Sequence, residues 1–267
     1  MSKIIGICNQ KGGTGKTTTA VNLTTFLALV GERTLLVDVD PQGNATSGLG
    51  REVSSETPSI YQGLIGEKSG QELIVPTSWE NLFLIPSSLS LTGAEIELVS
   101  LEERESRLRQ LLEIMRDNFD YIILDAPPSL GLLTINVLVA ADTLIIPIQC
   151  EYYALEGVSK LLSTIELVKE RLNPHLEIEG ILLTMADFRT RLTLQVIEEV
   201  KRFFKERVFT TIIPRNVKLA EAPSFGKPIL FYDPSCVGTK AYLNLTQEIL
   251  KKKINLDLYG SLLKEGG

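Results

Sequence analysis

The chain contains 267 residues, 44% of them apolar and 22% charged, which is enough for one large α/β domain with an ordinary hydrophobic core. Met1 is followed directly by a strand-like segment, and no stretch approaches the ~20 apolar residues of a membrane-spanning helix, so we expect a cytoplasmic protein without a signal peptide. The three cysteines are widely spaced and odd in number, which argues against a disulfide framework and against a cysteine-rich metal site.

The first predicted strand leads into the most informative segment of the chain. The apolar run Lys3–Cys8 is followed by the glycine-rich sequence NQKGGTGKTT at 9–18, and a helical pattern of apolar residues begins at Ala20. Glycines between a strand and a helix let backbone N–H groups surround an anion, and the helix dipole adds to the attraction. Lys16 is placed to reach the terminal phosphates and the Thr17 hydroxyl to bind magnesium, so we expect a nucleoside triphosphate as the ligand.

An additional lysine, Lys11, precedes the glycine pair of this loop. Gln10 stands where the usual G-x-x-x-x-G-K-[ST] pattern has its first glycine. Two lysines in one short loop repel each other unless one of them finds an anion elsewhere. Two interpretations of Lys11 follow: it is simply solvated, or it reaches a nucleotide held by a second copy of the chain, which predicts a dimer around ATP.

Acidic residues follow two of the next predicted strands. Asp38 and Asp40 stand two residues apart at the end of the strand Thr34–Val39, so in extended geometry both side chains leave on one face and can reach the same site. Asp125 follows the strand Tyr121–Leu124 and is placed to hold a metal ion through water. Two simpler interpretations stay open: Asp40 only starts a turn, and Asp125 only caps its strand.

The remaining segments continue an alternation of strands and helices. Further short apolar runs predict strands at Asn81–Pro86, Thr143–Ile148, Leu176–Thr184 and Val208–Ile213. Helical periodicity is found at residues 20–30, 108–115, 158–168 and 196–203. We expect Arg51–Trp79 to be a surface excursion with one short helix near Ser59–Ile65. The alternation predicts a single doubly wound, mostly parallel sheet with helices on both faces and ligands at the carboxyl ends of its strands.

Several segments together resemble the ParA/MinD family of P-loop ATPases, whose phosphate loop is a deviant Walker A motif. They are the glycine-rich loop, DVDPQGN at 38–44, LDAPPS at 124–129, EYYALEG at 151–157, IPRNV at 213–217 and EAPSFGKP at 221–228. Within the family the likeness is strongest to the chromosomal ParA (Soj) branch. The resemblance covers residues 1–253, which we take as the ATPase domain, and leaves residues 254–267 as a C-terminal tail.

This resemblance implies an Mg²⁺-dependent ATPase that dimerises around ATP and binds double-stranded DNA non-specifically. It also implies a role on the nucleoid in chromosome or plasmid partitioning, together with a ParB (Spo0J)-like centromere-binding protein that stimulates hydrolysis. By the same resemblance Lys11 crosses to the partner's phosphates, Asp40 positions the attacking water and Asp38 lies near the hydration shell of magnesium. ATP rather than GTP is likewise implied by the family. Sequence-specific operator binding is not expected.

The expected site residues form three groups. The catalytic group is Lys11, Lys16 and Asp40. The ATP-binding group is Lys11, Gly12, Gly13, Thr14, Gly15, Lys16, Thr17 and Thr18 with the adenine-facing loop Pro214, Arg215 and Asn216. The magnesium group is Thr17, Asp38 and Asp125.

The formal net charge of −6 hides an uneven distribution of charge. Residues 51–120 contain six Lys/Arg and thirteen Asp/Glu, whereas residues 187–240 contain ten Lys/Arg and six Asp/Glu. Any one of these cations is most simply a solvated side chain, but together with the resemblance they predict a surface for DNA phosphates. The candidates are Arg189, Arg191, Arg215, Lys218, Lys227 and Lys240.

Three other functions fit parts of the sequence. A MinD-like membrane switch needs an amphipathic C-terminal helix, for which the apolar residues 254–264 are a candidate that Asp257 and Gly260 weaken. A nitrogenase-reductase-like carrier needs cysteines that present an iron–sulfur cluster across a dimer, and Cys150 and Cys236 lack that arrangement. A scaffold that holds ATP without turnover is disfavoured by Asp40.

Overall fold

Eight strands form one sheet in the computed structural model, which describes residues 2–54, 57–152 and 154–254. In chain order they are β1 Lys3–Ile7, β2 Thr34–Asp38, β3 Val75–Pro76, β4 Leu82–Ile85, β5 Tyr121–Asp125, β6 Thr143–Gln149, β7 Glu177–Ala186 and β8 Val208–Pro214. Their order across the sheet is β3-β4-β2-β5-β1-β6-β7-β8, and all pairs are parallel except β3 with β4. The predicted doubly wound, mostly parallel sheet is therefore confirmed, with all seven predicted strands.

The described part of the chain also contains twelve α-helices. They are α1 Lys16–Leu29, α2 Asn44–Gly48, α3 Ile60–Ile65, α4 Gly70–Leu73, α5 Leu91–Glu97, α6 Arg107–Glu113, α7 Leu132–Ala140, α8 Glu156–Arg171, α9 Arg191–Phe204, α10 Val217–Glu221, α11 Ile229–Tyr232 and α12 Val237–Leu250. The four helices predicted from periodicity correspond to α1, α6, α8 and α9. None of the described helices combines the length and apolar character needed to cross a bilayer.

The surface excursion at 51–79 is more structured than its composition predicts. The expected helix α3 is present and begins with a capping box, in which Ser59 and Gln62 satisfy each other's free backbone groups. A second capping box formed by Ser69 and Glu72 starts α4, and the two-residue strand β3 then pairs antiparallel with β4. The prediction of a single helix was therefore wrong, because these caps stabilise elements too short to show apolar periodicity.

Two hydrophobic clusters lie on opposite faces of the sheet. Neighbouring residues of β1 alternate between them: Ile4 belongs to the cluster under α6–α9, and Ile5 to the cluster under α1 and α12. Both isoleucines are almost completely buried, and burial of such a side chain contributes about 1.5–3 kcal/mol. A strand with both faces covered needs apolar residues at successive positions, which is the pattern in the sequence.

The strand register brings the functional segments to one edge of the sheet. In the β1–β5 pair Ile7 lies opposite Asp125, and in the β2–β5 pair Asp38 lies opposite Asp125. The glycine-rich loop follows β1 directly. The loop and both acidic residues therefore meet where the carboxyl ends of three adjacent strands converge, as expected for this type of sheet.

Candidate functional site

The glycine-rich loop forms a wall of a cavity of about 410 Å³, a size suited to a small ligand. Gly13 has φ +71° and Gly15 φ +87°, and Gly15 is the N-cap residue of α1. Only glycine adopts this left-handed backbone at little cost, so the sequence folds here into a turn that exposes N–H groups at a helix start. Predicted site residues that line the cavity are Gly12, Gly13, Gly15, Lys16, Thr17, Thr18 and Asp40.

Lys16 is buried, with 6% of its surface exposed. Its Nζ donates a hydrogen bond to the carbonyl oxygen of Lys11 at 3.2 Å. Burial lowers the pKa of Lys16, and the nearby carboxylate of Asp125 opposes that shift. A buried ammonium with one neutral acceptor is poised to bind an anion, as predicted for the lysine that holds the terminal phosphates.

Side chains outside the loop hold its backbone in place. Asn9 donates from Nδ2 to the carbonyl oxygen of Pro147 at 2.6 Å, and its Oδ1 accepts from the N–H of Lys11 at 3.0 Å. The buried Thr184 hydroxyl donates to the carbonyl oxygen of Thr14 at 2.8 Å. Sequence reasoning missed Thr184, although its position at the end of a predicted strand was a signal that it lies at the ligand edge.

Asp125 carries the strongest indication of a metal site. It is completely buried, and its carboxylate oxygens make no hydrogen bond of normal geometry to the described groups, although the Thr17 hydroxyl lies close enough to affect its pKa. Burial and then the neighbouring Asp38 raise the pKa of Asp125 well above its usual range, while the nearby Thr17 hydroxyl and Lys16 oppose the shift. A bound cation would satisfy these oxygens, so the residues fit magnesium.

The donor set agrees with magnesium rather than with a metal held by protein alone. Among the described residues, no group of three or more His, Cys, Asp or Glu side chains is arranged to hold a metal ion. Magnesium in phosphate-binding sites uses one or two protein oxygens and completes its shell with phosphates and water. Thr17 and Asp125 are sufficient for that role.

Asp38 and Asp40 occupy different environments. Asp38 is completely buried and its carboxylate accepts from the Thr46 N–H and hydroxyl, both at 2.7 Å. Burial raises the pKa of Asp38 to about 6, although the hydrogen bonds from Thr46 and Asp40 lower it. Asp40 lines the cavity and accepts from the N–H of Gln42 at 3.0 Å. The strand ends at Asp38, so of these two carboxylates only that of Asp40 borders the cavity.

Lys11 lies beside the cavity rather than in its wall. Its side chain is 38% exposed, and its Nζ is 3.9 Å from Oε2 of Glu151. The same carboxylate is 3.4 Å from Nη2 of Arg215. A Cβ atom added at Gly12 would meet nothing within 4 Å. Within the described part of the chain this corner of the loop is therefore open at Gly12, as the interpretation of Lys11 as an intersubunit residue requires.

The predicted adenine-facing loop lies outside the wall of this cavity. Pro214 ends β8, Arg215 pairs with Glu151, and Asn216 caps α10 by accepting from the Lys218 N–H at 2.7 Å. The corresponding part of the wall consists of Met185, Leu219, Ala222, Pro223, Lys227 and Pro228. Contact of the loop with adenine stays a prediction, and apart from Lys227 sequence reasoning did not single out these mainly apolar wall residues.

The candidate DNA-binding residues divide into two sets. Arg189 is 87% exposed and pairs with Asp187 at 2.7 Å, and this bidentate contact lowers the pKa of Asp187 to about 2. Lys218 is 46% exposed and pairs with Glu221 at 3.0 Å. Arg191 begins α9 and Lys240 lies in a shallow groove beside β8. These residues follow or flank the ends of β7 and β8, whereas Lys227 lines the cavity beside the glycine-rich loop.

Comparison with known proteins agrees with this geometry. A family model described as an AAA domain matches residues 2–178. The sporulation initiation inhibitor protein Soj of Bacillus subtilis is 57% identical over 249 residues, which are 93% of this chain and 98% of that protein. The chromosome-partitioning ATPase Soj of Treponema pallidum is 48% identical, over 94% of this chain and 98% of that protein.

A solved structure of the same fold contains a nucleotide. Cobyrinic acid a,c-diamide synthase from Mycobacterium smegmatis, with a bound ATP analogue and magnesium, has a TM-score of 0.84 and 35% identity. The match covers 94% of this chain and 95% of that chain.

Proposed function

Because the chain belongs to the ParA/Soj family of chromosome-partitioning ATPases, we propose that it works as an ATP-controlled dimer on DNA. It is an ATPase that uses ATP and Mg²⁺. In this proposal the ATP-bound dimer binds double-stranded DNA non-specifically on the nucleoid and drives the partitioning of a chromosome or plasmid with a ParB-like partner. Residues 1–253 form the ATPase domain, and the tail at 254–267 is left without a role.

The proposed hydrolysis assigns a task to the phosphate loop, to the magnesium ligands and to Asp40. Backbone N–H groups of the glycine loop and the Lys16 ammonium hold the phosphates. Thr17 and Asp125 would hold magnesium, which would supply positive charge beside the phosphate oxygens. Asp40 borders the cavity, and its carboxylate orients the attacking water and accepts its proton.

The observation that carries the dimer proposal is the open corner at Lys11 and Gly12. Lys11 is half-exposed beside the cavity, and its one described ion pair is long. Exposed ion pairs contribute only about 0–1 kcal/mol, so Lys11 exchanges Glu151 for a stronger anion at little cost. The phosphates of an ATP molecule in a facing subunit provide such an anion.

Dimerisation explains how ATP controls DNA binding. Arg189 and Lys218 are exposed near the ends of β7 and β8, so each subunit presents a small basic surface. Two aligned surfaces release counterions from twice as many phosphates, and affinity therefore rises steeply when the dimer forms. Hydrolysis separates the subunits and weakens binding, and a ParB-like protein sets the timing by stimulating hydrolysis.

One experiment tests the whole proposal. Binding to a non-specific DNA duplex is measured with ATP, with ADP and without nucleotide, over a range of salt concentrations. We expect tight binding only with ATP and Mg²⁺, with a salt slope that reports several phosphate contacts. Equal DNA affinity in all three nucleotide states would overturn the proposal. In parallel, light scattering with Mg²⁺ and a non-hydrolysable ATP analogue should give a dimer, and a persistent monomer would contradict it.

A further inference from the structure

Thr46, at the start of α2, connects three segments at the edge of the sheet. Its backbone N–H and its hydroxyl both donate to Oδ2 of Asp38 at 2.7 Å. The same hydroxyl accepts from the N–H of Ser87, just after β4, at 3.0 Å. The Thr46 hydroxyl thus donates its proton to Asp38 and accepts a hydrogen bond from Ser87. Because the residue is also only 2% exposed, its side chain has one defined orientation.

The fixed Asp38 carboxylate in turn holds the backbone of Asp40. Its second oxygen, Oδ1, accepts from the N–H of Asp40 at 3.2 Å. Asp40 in turn accepts from Gln42 through Oδ1, and its carbonyl oxygen accepts from Gly43 at 2.9 Å. Each carboxylate oxygen of Asp38 is therefore engaged, and the turn that carries the Asp40 carboxylate to the cavity depends on it.

Asp125 lies opposite Asp38 in the adjacent strand and differs from it in one decisive respect. Both residues are completely buried, but the oxygens of Asp125 have no hydrogen-bond partner among the described groups. Two buried carboxylates side by side compete for any nearby donor or cation. The Thr46 donors occupy Asp38 and leave Asp125 available.

We propose that Thr46 is a positioning residue that assigns different roles to the two buried carboxylates. By engaging Asp38, it makes this residue the anchor of the Asp40 turn and reserves Asp125 for the magnesium shell. This inference rests on the proposed Mg²⁺-ATPase site, and it replaces the expectation that Asp38 lies near the metal's hydration shell.

The test compares Thr46→Val, which keeps the shape but removes the hydroxyl, with Thr46→Ser, which keeps the hydroxyl. Hydrolysis is followed by phosphate release, and Mg²⁺ is titrated into the protein with a fluorescent ATP analogue. Loss of such a supporting contact typically costs 10–100-fold. We expect Thr46→Val to lower kcat by about that factor with a smaller change in KM, and Thr46→Ser to restore most of it.

Thr246→Val is the matched control for loss of a buried hydroxyl. Thr246 is completely buried in α12 and donates to the carbonyl oxygen of Tyr242 at 2.9 Å, on a helix that contributes no residue to the cavity wall. We expect its kcat to match that of the unmodified protein. Equal kcat loss in Thr46→Val and Thr246→Val, or no loss in Thr46→Val, would overturn the inference.

A second pair of variants keeps the proposal testable if Thr46→Val does not fold. Asp125→Asn should raise the Mg²⁺ concentration needed for nucleotide binding by about 10–100-fold. Asp38→Asn keeps an oxygen that accepts from both Thr46 donors. It should therefore raise the required Mg²⁺ concentration several times less than Asp125→Asn does. Equal Mg²⁺ effects of the two variants would contradict the division of roles. Failure of the unmodified protein to hydrolyse ATP with Mg²⁺ would instead overturn the proposed site itself.

Discussion

The nucleotide site and the basic surface lie at the same edge of the sheet but are built in opposite ways. At the ends of β1, β2 and β5 the charged groups of Lys16, Asp38 and Asp125 are buried. Near the ends of β7 and β8, Arg189 and Lys218 are 87% and 46% exposed, and each is already paired with a carboxylate of its own subunit.

Because of this difference in burial, the buried groups determine which ion binds and how it is held, whereas the exposed groups affect only the strength of binding. A charge in the low-dielectric interior must be satisfied with defined geometry, so the buried site specifies which ion binds and where. An exposed ion pair contributes about 0–1 kcal/mol, so in the proposed function the basic surface would exchange its carboxylate partners for DNA phosphates with little loss. Substitutions should therefore have large specific effects in the first region and small additive effects in the second.

The largest effect is expected for Lys16→Ala. Removing one partner of a buried charge pair costs about 2–5 kcal/mol, so ATP affinity should fall by roughly 1,000-fold. The measurement is equilibrium binding of a fluorescent ATP analogue. The control is Lys252→Ala, which removes a half-exposed lysine paired with Glu32. Unchanged ATP affinity in Lys16→Ala would refute its assignment to the phosphates.

Asp40→Ala should separate binding from turnover. Its loss leaves the phosphate loop intact but removes the carboxylate that orients water, so hydrolysis should slow by about 100-fold or more while ATP still binds. The variant should remain on DNA as an ATP-bound dimer. Phosphate release and the lifetime of the DNA complex are the measurements, with the exposed Asp117→Ala as control. Normal turnover in Asp40→Ala would contradict its catalytic role.

Gly12→Val should affect the dimer alone. A Cβ at this position meets nothing within 4 Å in one subunit, so ATP binding should persist. Overpacking costs about 1–3 kcal/mol per copy, and two copies at one interface should weaken dimerisation by about 30-fold or more. Gly12→Ala should have a smaller effect. Light scattering with a non-hydrolysable ATP analogue distinguishes the outcomes, and an ordinary ATP dimer of Gly12→Val would count against this interface.

A glycine pair joins the two regions and provides a stability test. Gly50, just after α2, has φ +66°, and a Cβ there would lie 2.8 Å from the carbonyl oxygen of Gly226, in the segment after Lys218 that contributes to the cavity wall. Gly31 also has a positive φ but would meet nothing. Backbone strain is common to both alanine variants, so Gly50→Ala should lose about 1–3 kcal/mol more stability in urea unfolding. Equal losses would show that the contact is dispensable.

The smallest effect is expected on the basic surface. Arg189→Ala removes one phosphate contact per subunit, so the slope of log affinity against log salt should decrease by about 2 for the dimer. Lys227→Ala should leave this slope unchanged, because Lys227 lines the nucleotide cavity. The reverse result would place the DNA surface on the side of Lys227.

Much of the site at the carboxyl ends of β1, β2 and β5 was predictable, because the sequence patterns that mark it are local. Apolar runs mark β1, β2 and β5, and the glycines at 13 and 15 mark a turn with positive φ between a strand and a helix. Asp125 follows from its place after a buried strand. Elements with little or no apolar periodicity, such as α4 and β3, were missed because a capping box and edge pairing stabilise them instead.

By itself the sequence determined the parallel sheet, the phosphate loop and the identity of the charged groups, since each depends on residues that are neighbours along the chain. Only the tertiary structure decided which of the buried polar groups have hydrogen-bond partners. Thr184 reaches Thr14 across 170 positions, and Thr46 donates to Asp38, whereas the oxygens of Asp125 have no hydrogen-bond partner among the described groups. The physical reason is that hydrogen-bond partners in a buried site are set by packing between distant segments, which local patterns do not record.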